Sequence, residues 1–500
     1  MKRHILLFLL LVTAFAARVW GVRFCLPFRY SHIDESVVIF YTMRFFGGSF
    51  NPSPFFDYPT LGLYILFIVY SACLLAGRYA SVESFVTAFM NDASSFYMTA
   101  RFLSVLAGVF TVYLTYLLGK KFFSRKTGLI AALFLSLTPR HILDSHYGTV
   151  DALSLFFTLL SAIFIYNAAL KSRIRDWLLA GLFVGLSAAS KYYGAIFLIN
   201  ILIAYMLCAR KRWYFPVLSV LSCMAGFVAA FPYSVLDFGA FSGRFVDRLH
   251  LIIGNGTGMQ RAILDTGWFL YPAIIAASCG FLFAMISFIA LIYNLFHRKK
   301  ENLLAISFII VFYLFSGGWR VVTERYALPF YPFFAIISAD FLLTVRERIK
   351  ERKIKDIFLP CVITLFLITV LPSIVRMDRI LAGKDTRIIA YEWLKDNIPR
   401  KSRILREPFT PEFGSTDDYR VKVDWQETIQ QEDVERLALD YDYVLTANFD
   451  YDTASAFEGR LDKDAVLVRE FSGERLGTFH NPRVRIYKLR GAKWENRKSW

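Results

Sequence analysis

The chain has 500 residues, of which 56% are hydrophobic, 17% are aromatic and only 19% are charged. This composition excludes an ordinary soluble enzyme and is typical of a protein embedded in a lipid bilayer. The net charge of +17 does not indicate nucleic-acid binding, because the basic residues form short clusters between apolar runs. Six scattered cysteines without a CxxC pair support neither a disulfide framework nor a zinc site.

Long apolar segments predict about eleven transmembrane helices. They lie near residues 4–21, 98–119, 127–139, 148–168, 176–190, 193–208, 214–232, 268–296, 302–318, 325–343 and 356–376. The first also resembles a secretory signal peptide, with a basic start, an apolar stretch and an AFA that could be cleaved. We predict that it is retained, because the first helix of a multispanning chain usually sets its orientation.

One further apolar run, at 59–77, decides the topology. Basic clusters lie at residues 2–3, 120–126, 171–175, 210–212, 297–300 and 345–354. If 59–77 does not cross, all of these clusters lie on one side of the membrane, as the positive-inside rule requires. We therefore predict that 59–77 is interfacial or re-entrant, within an external loop spanning 22–97. The N-terminus is then cytoplasmic, and the C-terminus is external.

The composition changes near residue 380, which predicts a membrane domain over 1–379 and an extracytoplasmic α/β domain over 380–500. DTRIIAYEWLKDNIP has a helical period that Pro399 ends. The segments SRIL, YDYVLTA, AVLVREF and VRIYKL have the pattern of short strands. The predicted fold class is thus an α-helical polytopic membrane protein, with interfacial helices in its first external loop and a small soluble α/β domain.

An acidic pair, Asp34 and Glu35, follows the first apolar segment in RYSHIDESVVIF. Ionisable side chains so close to hydrocarbon are costly and therefore indicate a functional site. The alternative is that both are solvated loop carboxylates at the end of a helix.

Further charged and aromatic residues fall on the same predicted external side. They are Arg140, His146 and Asp151 in TPRHILDSHYGTVDALSLFF, Lys191 in SAASKYYGAIFL, and Arg325 and Tyr326 in GGWRVVTERYALPFYP. Apolar walls, cations and carboxylates on one membrane face match the needs of an anionic substrate that is linked to a lipid.

Several of these residues also have purely structural interpretations. Lys191 could extend its ammonium to the membrane interface. Arg325 could pair with its neighbour Glu324. Asp151 could be a favourable charge at a helix N-terminus.

Two patterns raise the alternative of metal binding. The DYD triplets at 440–442 and 450–452 resemble the DxD motif of nucleotide-sugar enzymes, but this spacing is common in turns. His141, Asp144 and His146 have a loose ligand spacing. We predict no metal and no cofactor.

The order of motifs resembles the GT-C glycosyltransferases. The similarity is to the superfamily of dolichyl-phosphate-mannose–protein mannosyltransferases, which includes the lipid A aminoarabinose transferases. It rests on the Asp34–Glu35 pair, YPTLGLYI, the stretch 98–157, GLSAASKYYGAIFL, ERYALPFYP and DTRIIAYEWLKDNIP. The chain departs from the pattern at Thr60, where a second proline is usual, and it has neither a β-trefoil insert nor a WWD signature.

The resemblance implies transfer of a sugar, by family default mannose, from a polyprenyl phosphate to an acceptor hydroxyl with inversion. Asp34 would be the general base and Glu35 a supporting residue. The acceptor is a protein, a lipid or a glycan, the partners include the bilayer and no nucleic acid, and the site is on the extracytoplasmic side of the cell membrane.

The same resemblance implies roles for the remaining candidates. Lys191 and Arg325 would neutralise the lipid phosphate, and Asp151 would orient sugar or acceptor hydroxyls. Arg140, His146 and Tyr326 complete the predicted substrate-binding set.

Two other classes of function are alternatives for a chain of this composition. A transporter of lipid-linked substrates usually has ionisable residues at mid-membrane and pseudo-symmetric halves, whereas here the charges gather at one rim and no repeat is visible. A non-catalytic scaffold, with 380–500 as its binding module, predicts that Asp34 can be replaced without loss.

Overall fold

The computed structural model describes residues 2–254, 266–297, 299–414, 417–424, 433–448, 456–477 and 480–490. The chain divides into two compact units. The first unit comprises Met1–Trp20, Val38–Arg78 and Thr99–Arg376, and the second comprises Gly21–Val37, Tyr79–Met98 and Met377–Trp500. The second unit thus begins its C-terminal part close to the expected boundary at 380. It also takes two stretches from the predicted first external loop.

The first 382 residues are largely helical. The α-helices are α1 (Lys2–Val19), α2 (Ile33–Arg44), α3 (Leu61–Cys73), α4 (Val82–Asn91), α5 (Ser94–Phe122), α6 (Arg125–Ser136), α7 (Pro139–His146), α8 (Asp151–Lys171), α9 (Ile174–Ser190), α10 (Leu198–Leu207), α11 (Tyr214–Ala230), α12 (Tyr233–Leu236), α13 (Phe238–Ile253), α14 (Gly267–Cys279), α15 (Phe281–Phe296), α16 (Lys300–Ser316), α17 (Phe330–Arg348) and α18 (Arg352–Ala382). Tighter 3₁₀ turns at Tyr192–Phe197 and Glu324–Ala327 precede α10 and α17. Helices therefore cover the predicted apolar segments.

Within the described ranges, four helical stretches are long and apolar enough to cross a membrane by length and composition. They are Leu61–Arg78, Ser94–Phe122, Asp151–Lys171 and Arg352–Asn397. Shorter apolar helices include Tyr214–Ala230 and Phe281–Phe296. The first stretch coincides with the run 59–77, so its interfacial or re-entrant placement stays a prediction.

The segment predicted as one helix over 268–296 is instead two, α14 and α15. The break is at Gly280, whose φ of +87° lies in the left-handed region. Residues other than glycine rarely adopt this conformation, so the apolar run alone did not reveal the break.

Helices α9 and α11 of the first unit approach each other closely because small residues line their contact. A Cβ atom added at Gly181 would lie 2.0 Å from the carbonyl oxygen of Ser219, and one added at Gly185 would lie 2.2 Å from that of Cys223. Gly181 and Gly185 are four residues apart and so lie on one face of α9. Small residues at this spacing let helix backbones pack directly in a membrane.

The second unit contains a five-stranded mixed sheet. Its strands are β1 (Arg403–Arg406), β2 (Arg420–Val423), β3 (Tyr443–Asn448), β4 (Ala465–Phe471) and β5 (Arg483–Leu489), in the order β2-β1-β3-β5-β4. Strand β1 runs parallel to β2 and β3, whereas β5 runs antiparallel to β3 and β4. The four predicted strands are confirmed. Strand β2 was missed because RVKV is short and largely exposed.

Helices cover both faces of this sheet. They are α19 (Thr386–Asn397), α20 (Val434–Asp440) and α21 (Ala456–Asp464). On one face, Val444 of β3 packs in a cluster with Leu437 and Phe457, and on the other, Leu445 packs with Leu394. Successive strand residues point to opposite faces, so this central strand is apolar on both.

The first DYD triplet has a structural role in this domain. Asp442 accepts hydrogen bonds from the backbone N–H of Arg403 (2.8 Å) and from its Nη2 (2.8 Å). Burial would raise the pKa of Asp442, but the hydrogen bonds and the charge of Arg403 lower it below its usual range. The triplet at 450–452 lies outside the described residues.

Candidate active site

A buried ion pair joins two of the predicted substrate-binding residues in the first unit. Asp151 is the first residue of α8, and Lys191 directly follows the last turn of α9, where the chain becomes extended. The Nζ of Lys191 contacts Oδ1 of Asp151, and the two side chains are 7% and 3% exposed. The helix N-terminus favours the negative charge of Asp151. This is the structural interpretation that the sequence offered for this residue.

Aromatic rings surround the Lys191 ammonium. Its Nζ lies 4.7 Å from the ring centroid of Tyr326 and 5.2 Å from that of Tyr193. Cation–π attraction of this kind stabilises a partly desolvated cation. The guanidinium of Arg325 lies 5.8 Å from the same Tyr326 ring. Three predicted residues, Lys191, Arg325 and Tyr326, are thus brought together.

Arg140 links two carboxylates from different segments. Its Nε and Nη2 donate to Asp144 at 2.9 and 2.6 Å, one helical turn further along α7. Its Nη1 contacts Glu324, which precedes Arg325 in the turn before α17. Bidentate geometry makes arginine–carboxylate contacts strong and directional. In the structure Glu324 therefore contacts Arg140, whereas the structural alternative from the sequence was a pair of Glu324 with Arg325.

The histidines of α7 are buried and contact the surrounding protein. The ring nitrogens of His146 lie 2.9 and 2.8 Å from the carbonyl oxygens of Ile142 and Trp20. His141 Nδ1 lies 2.7 Å from Nη2 of Arg18, a fully buried arginine that was not among the predicted site residues. The position of this arginine near the end of an apolar helix was the sequence signal that could have indicated a functional residue.

These contacts bear on the alternative of a metal site. His141, Asp144 and His146 each have a different partner. Within the described parts of the chain, no three His, Cys, Asp or Glu side chains gather into a group that could hold a cation.

A cavity of about 290 Å³ opens beside Lys191. Its charged lining consists of Lys191, Arg248 and Asp57, and its aromatic lining includes Tyr193, Trp319 and Tyr326. Leucine and isoleucine side chains of α13 complete the wall. The volume is near the lower end of the range for small-molecule sites. Cationic groups in an apolar cavity can bind an anion that carries a hydrocarbon chain.

Asp57 and two arginines of α13 form a second charged group at this cavity. The Nη2 of Arg244 lies 3.1 Å from one carboxylate oxygen of Asp57, and Nη1 of Arg248 lies 3.7 Å from the other. Neither arginine was predicted as a site residue. The signal was their spacing of four residues in FSGRFVDRLH, which places both on one helix face.

The predicted catalytic pair lies in the second unit, at the start of α2. Asp34 is half-buried, and Glu35 is fully buried with Ser31 Oγ at 3.4 Å from its Oε2. Both belong to the first turn of the helix, where the macrodipole favours negative charge. The second unit also contains α19 and the five-stranded sheet, so the acidic turn belongs to the same compact unit as that sheet.

Comparison with known proteins gives matches to glycosyltransferases. Residues 81–236 match the model of the dolichyl-phosphate-mannose-protein mannosyltransferase family. A putative mannosyltransferase of Bacillus subtilis, YkcB, is 33% identical over 122 residues, which are 24% of this chain. The chain covers only 17% of the length of that relative.

Two solved structures share the fold over most of the chain. ArnT from Cupriavidus metallidurans, solved bound to undecaprenyl phosphate, has a TM-score of 0.56 at 12% identity and covers 98% of both chains. The oligosaccharyltransferase AglB from Archaeoglobus fulgidus, solved with an inhibitory peptide and a dolichol-phosphate, has a TM-score of 0.52 at 13% identity. This match covers 89% of our chain and 70% of AglB.

The family match and the shared fold agree with each other and with the order of motifs in the sequence. The chain therefore has the fold of ArnT and AglB, and its residues 81–236 are similar to the dolichyl-phosphate-mannose-protein mannosyltransferase family.

Proposed function

We propose that the protein is a membrane glycosyltransferase that moves a sugar from a polyprenyl-phosphate donor to an acceptor hydroxyl. The observation that carries this proposal is the apolar cavity with Lys191 and Arg248 in its wall. A phosphate on an isoprenoid chain needs both a hydrocarbon surface and a cation, and this cavity has both. The solved relatives that were bound to undecaprenyl phosphate and dolichol-phosphate support the same class of donor.

The reaction needs one base and a stabilised leaving group. The bond between the anomeric carbon and the phosphate oxygen breaks, and the oxygen keeps the electron pair. The lipid phosphate diester thereby becomes a monoester, which departs without a strong general acid. The acceptor oxygen forms the new bond from the opposite face, so the anomeric configuration inverts. Its proton goes to Asp34, the proposed general base, and Glu35 supports the turn that carries Asp34.

Residues of the first unit have electrostatic and orienting roles in this proposal. Lys191 and Arg325 neutralise the charge on the lipid phosphate, which low dielectric makes more effective than in water. Asp151, already in contact with Lys191, keeps the ammonium in place and orients hydroxyl groups. Tyr326 lines the cavity beside Lys191, and Arg140 and His146 are proposed as further substrate-binding residues.

The acceptor and the sugar are proposed only as chemical classes or by family default. Mannose is proposed as the sugar because the family match and the Bacillus subtilis relative carry that name. The acceptor is a hydroxyl of a protein, a lipid or a glycan on the extracytoplasmic side. We propose that the segment 233–267 and the C-terminal domain influence acceptor choice. This segment was predicted to be a loop, but it contains α12 and α13, and its residues 255–265 lie outside the described ranges.

The test is donor turnover by purified protein in lipid nanodiscs, with radiolabelled polyprenyl-phosphate mannose. Asp34→Asn keeps the shape of the side chain and removes the base. We expect it to bind donor but to turn over at least ~100-fold more slowly, the size of loss typical of a missing general base. The matched control is Asp418→Asn, which changes an exposed carboxylate of the same unit. Equal turnover by wild type and Asp34→Asn would show that Asp34 is not the base.

A further inference from the structure

We propose that Glu412 and Arg387 are positioning residues for the catalytic turn, because they hold the backbone just before Asp34. This inference rests on the proposed function, in which Asp34 is the base. Both residues belong to the C-terminal part of the second unit, which would thereby be a structural component of the active site and more than an appended domain.

Glu412 binds two consecutive backbone amides. Its Oε1 accepts the N–H of Arg29 at 2.6 Å and the N–H of Tyr30 at 2.8 Å. Successive N–H groups that converge on one oxygen form a concave anion site, and a charged acceptor strengthens each bond. Glu412 lies 382 residues after Tyr30, so the contact exists only in the folded protein.

Arg387 binds the opposite side of the same residue. Its Nη1 donates to the carbonyl oxygen of Tyr30 at 2.9 Å. The guanidinium is itself fixed by Asp385, to which Nε and Nη2 donate at 2.7 and 2.8 Å. Arg387 is 1% exposed. The backbone N–H and C=O of Tyr30 are therefore both bound by side chains from the C-terminal part of the unit.

Short contacts carry this anchoring to the carboxylates. Ser36 Oγ donates to the carbonyl oxygen of Arg29 at 2.6 Å, which ties the first turns of α2 to the anchored segment. Ile33 packs against Phe409 and Ala447 of the same unit. Asp34 follows Ile33 directly, so a shift of the 29–30 backbone would displace the first turn of α2.

A purely structural role and a positioning role predict different results. If Glu412 only stabilised the domain, its loss would lower the yield of folded protein without a specific change in turnover. If it positions Asp34, its loss lowers kcat and leaves KM for the donor nearly unchanged, because a small misplacement of a catalytic group costs rate more than binding.

The test uses the full chain in nanodiscs, with three changes at one position. Glu412→Ala removes the acceptor, and Glu412→Asp keeps the charge near Arg387 but is too short to reach both amides. Glu412→Gln keeps an oxygen that can accept both bonds. The matched control is Glu392→Ala, which removes an exposed carboxylate of α19 that pairs with Lys384.

Two readouts are measured. Hydrogen exchange of peptides covering 28–36 needs no substrate, and we expect Arg29 and Tyr30 to exchange roughly tenfold faster in Glu412→Ala and Glu412→Asp. We expect kcat to fall about 10- to 100-fold in these two variants, with KM for polyprenyl-phosphate mannose within about twofold. Glu412→Gln and Glu392→Ala should resemble wild type in both measurements.

The outcomes separate this inference from the proposed function. Unchanged exchange in Glu412→Ala and Glu412→Asp would overturn the anchoring, and faster exchange with unchanged kcat would overturn the positioning role. A loss seen in KM alone would also overturn it. If Asp34→Asn turns over as fast as wild type, the base assignment fails, and faster exchange in the Glu412 variants would still support the anchoring of the turn.

Discussion

The buried pair of Lys191 and Asp151 makes a quantitative prediction about stability. We consider the change Lys191→Met, which keeps much of the volume of the side chain and removes its charge. The two side chains are only 7% and 3% exposed, so solvent screens the pair weakly. Asp151 would then remain buried without the ammonium that it contacts.

The expected loss can be worked from this burial. Two opposite unit charges in contact attract by about 4 kcal/mol at an effective dielectric constant of about 20. Removing one partner of a buried pair typically destabilises a protein by about 3–5 kcal/mol. We therefore expect Lys191→Met to lower the free energy of unfolding by about 3 kcal/mol or more. Replacing both partners is less harmful, because no charge remains buried.

The assay is a double-mutant cycle measured by SDS-induced unfolding in mixed micelles. It compares wild type, Lys191→Met, Asp151→Asn and the double variant. We expect a coupling energy of about 2 kcal/mol, since the residues are in direct contact. Lys384→Met serves as the control, because its pair with Glu392 is 65% and 53% exposed. Pairs exposed to this extent contribute about 1 kcal/mol or less.

This reasoning would be refuted if the effects of the two single changes on the free energy of unfolding were additive in the double variant. It would also be refuted if the stability of Lys191→Met were within about 0.5 kcal/mol of wild type. Either result would mean that water or other groups compensate Asp151 as well as Lys191 does. The side chain of Lys191 would then be available to a phosphate at little cost to the fold.

Two further predictions concern packing and pH. Gly181→Ala should destabilise the first unit by about 1–3 kcal/mol, because its Cβ would lie 2.0 Å from the Ser219 carbonyl oxygen. The control is Gly239→Ala, where an added Cβ meets nothing within 4 Å and no loss of stability is expected. Equal midpoints of SDS-induced unfolding for the two variants would contradict the close helix contact. For Asp442, whose pKa is lowered by Arg403, the ion pair stabilises the fold above the usual carboxyl pKa and is lost as pH falls through the lowered value. The hydrogen-exchange protection factor of the Arg403 amide should therefore be higher in wild type than in Asp442→Asn near neutral pH, and the two values should converge in strong acid. A difference that does not depend on pH would count against the ion pair.

Much of the architecture was readable from local sequence. Apolar length predicted the helical segments, and alternating apolar residues predicted β1, β3, β4 and β5, because both signals depend on neighbouring residues. The helix before Pro399 was confirmed as α19. The break at Gly280 was not readable, since a glycine inside an apolar run is compatible with a continuous helix.

The candidate site was only partly predictable. The sequence predicted Lys191 and Arg325 as residues suited to a lipid phosphate, and Asp151 and Tyr326 as further substrate-binding residues. It did not predict that Lys191 would contact Asp151, forty residues earlier. Nor did it predict that Arg244 and Arg248 of α13 would pair with Asp57, because segments 187 residues apart can meet in many ways before packing selects one.

The sequence by itself determined which segments are apolar, where charge is concentrated and which family pattern the motifs follow. Those properties depend on composition and on short-range periodicity. Only the tertiary structure decided the order of the strands, the partners of each buried charge and the anchoring of Tyr30 by Glu412 and Arg387. The physical reason is that a buried charge must find a partner wherever the packed chain brings one, and such partners here lie up to 383 residues apart.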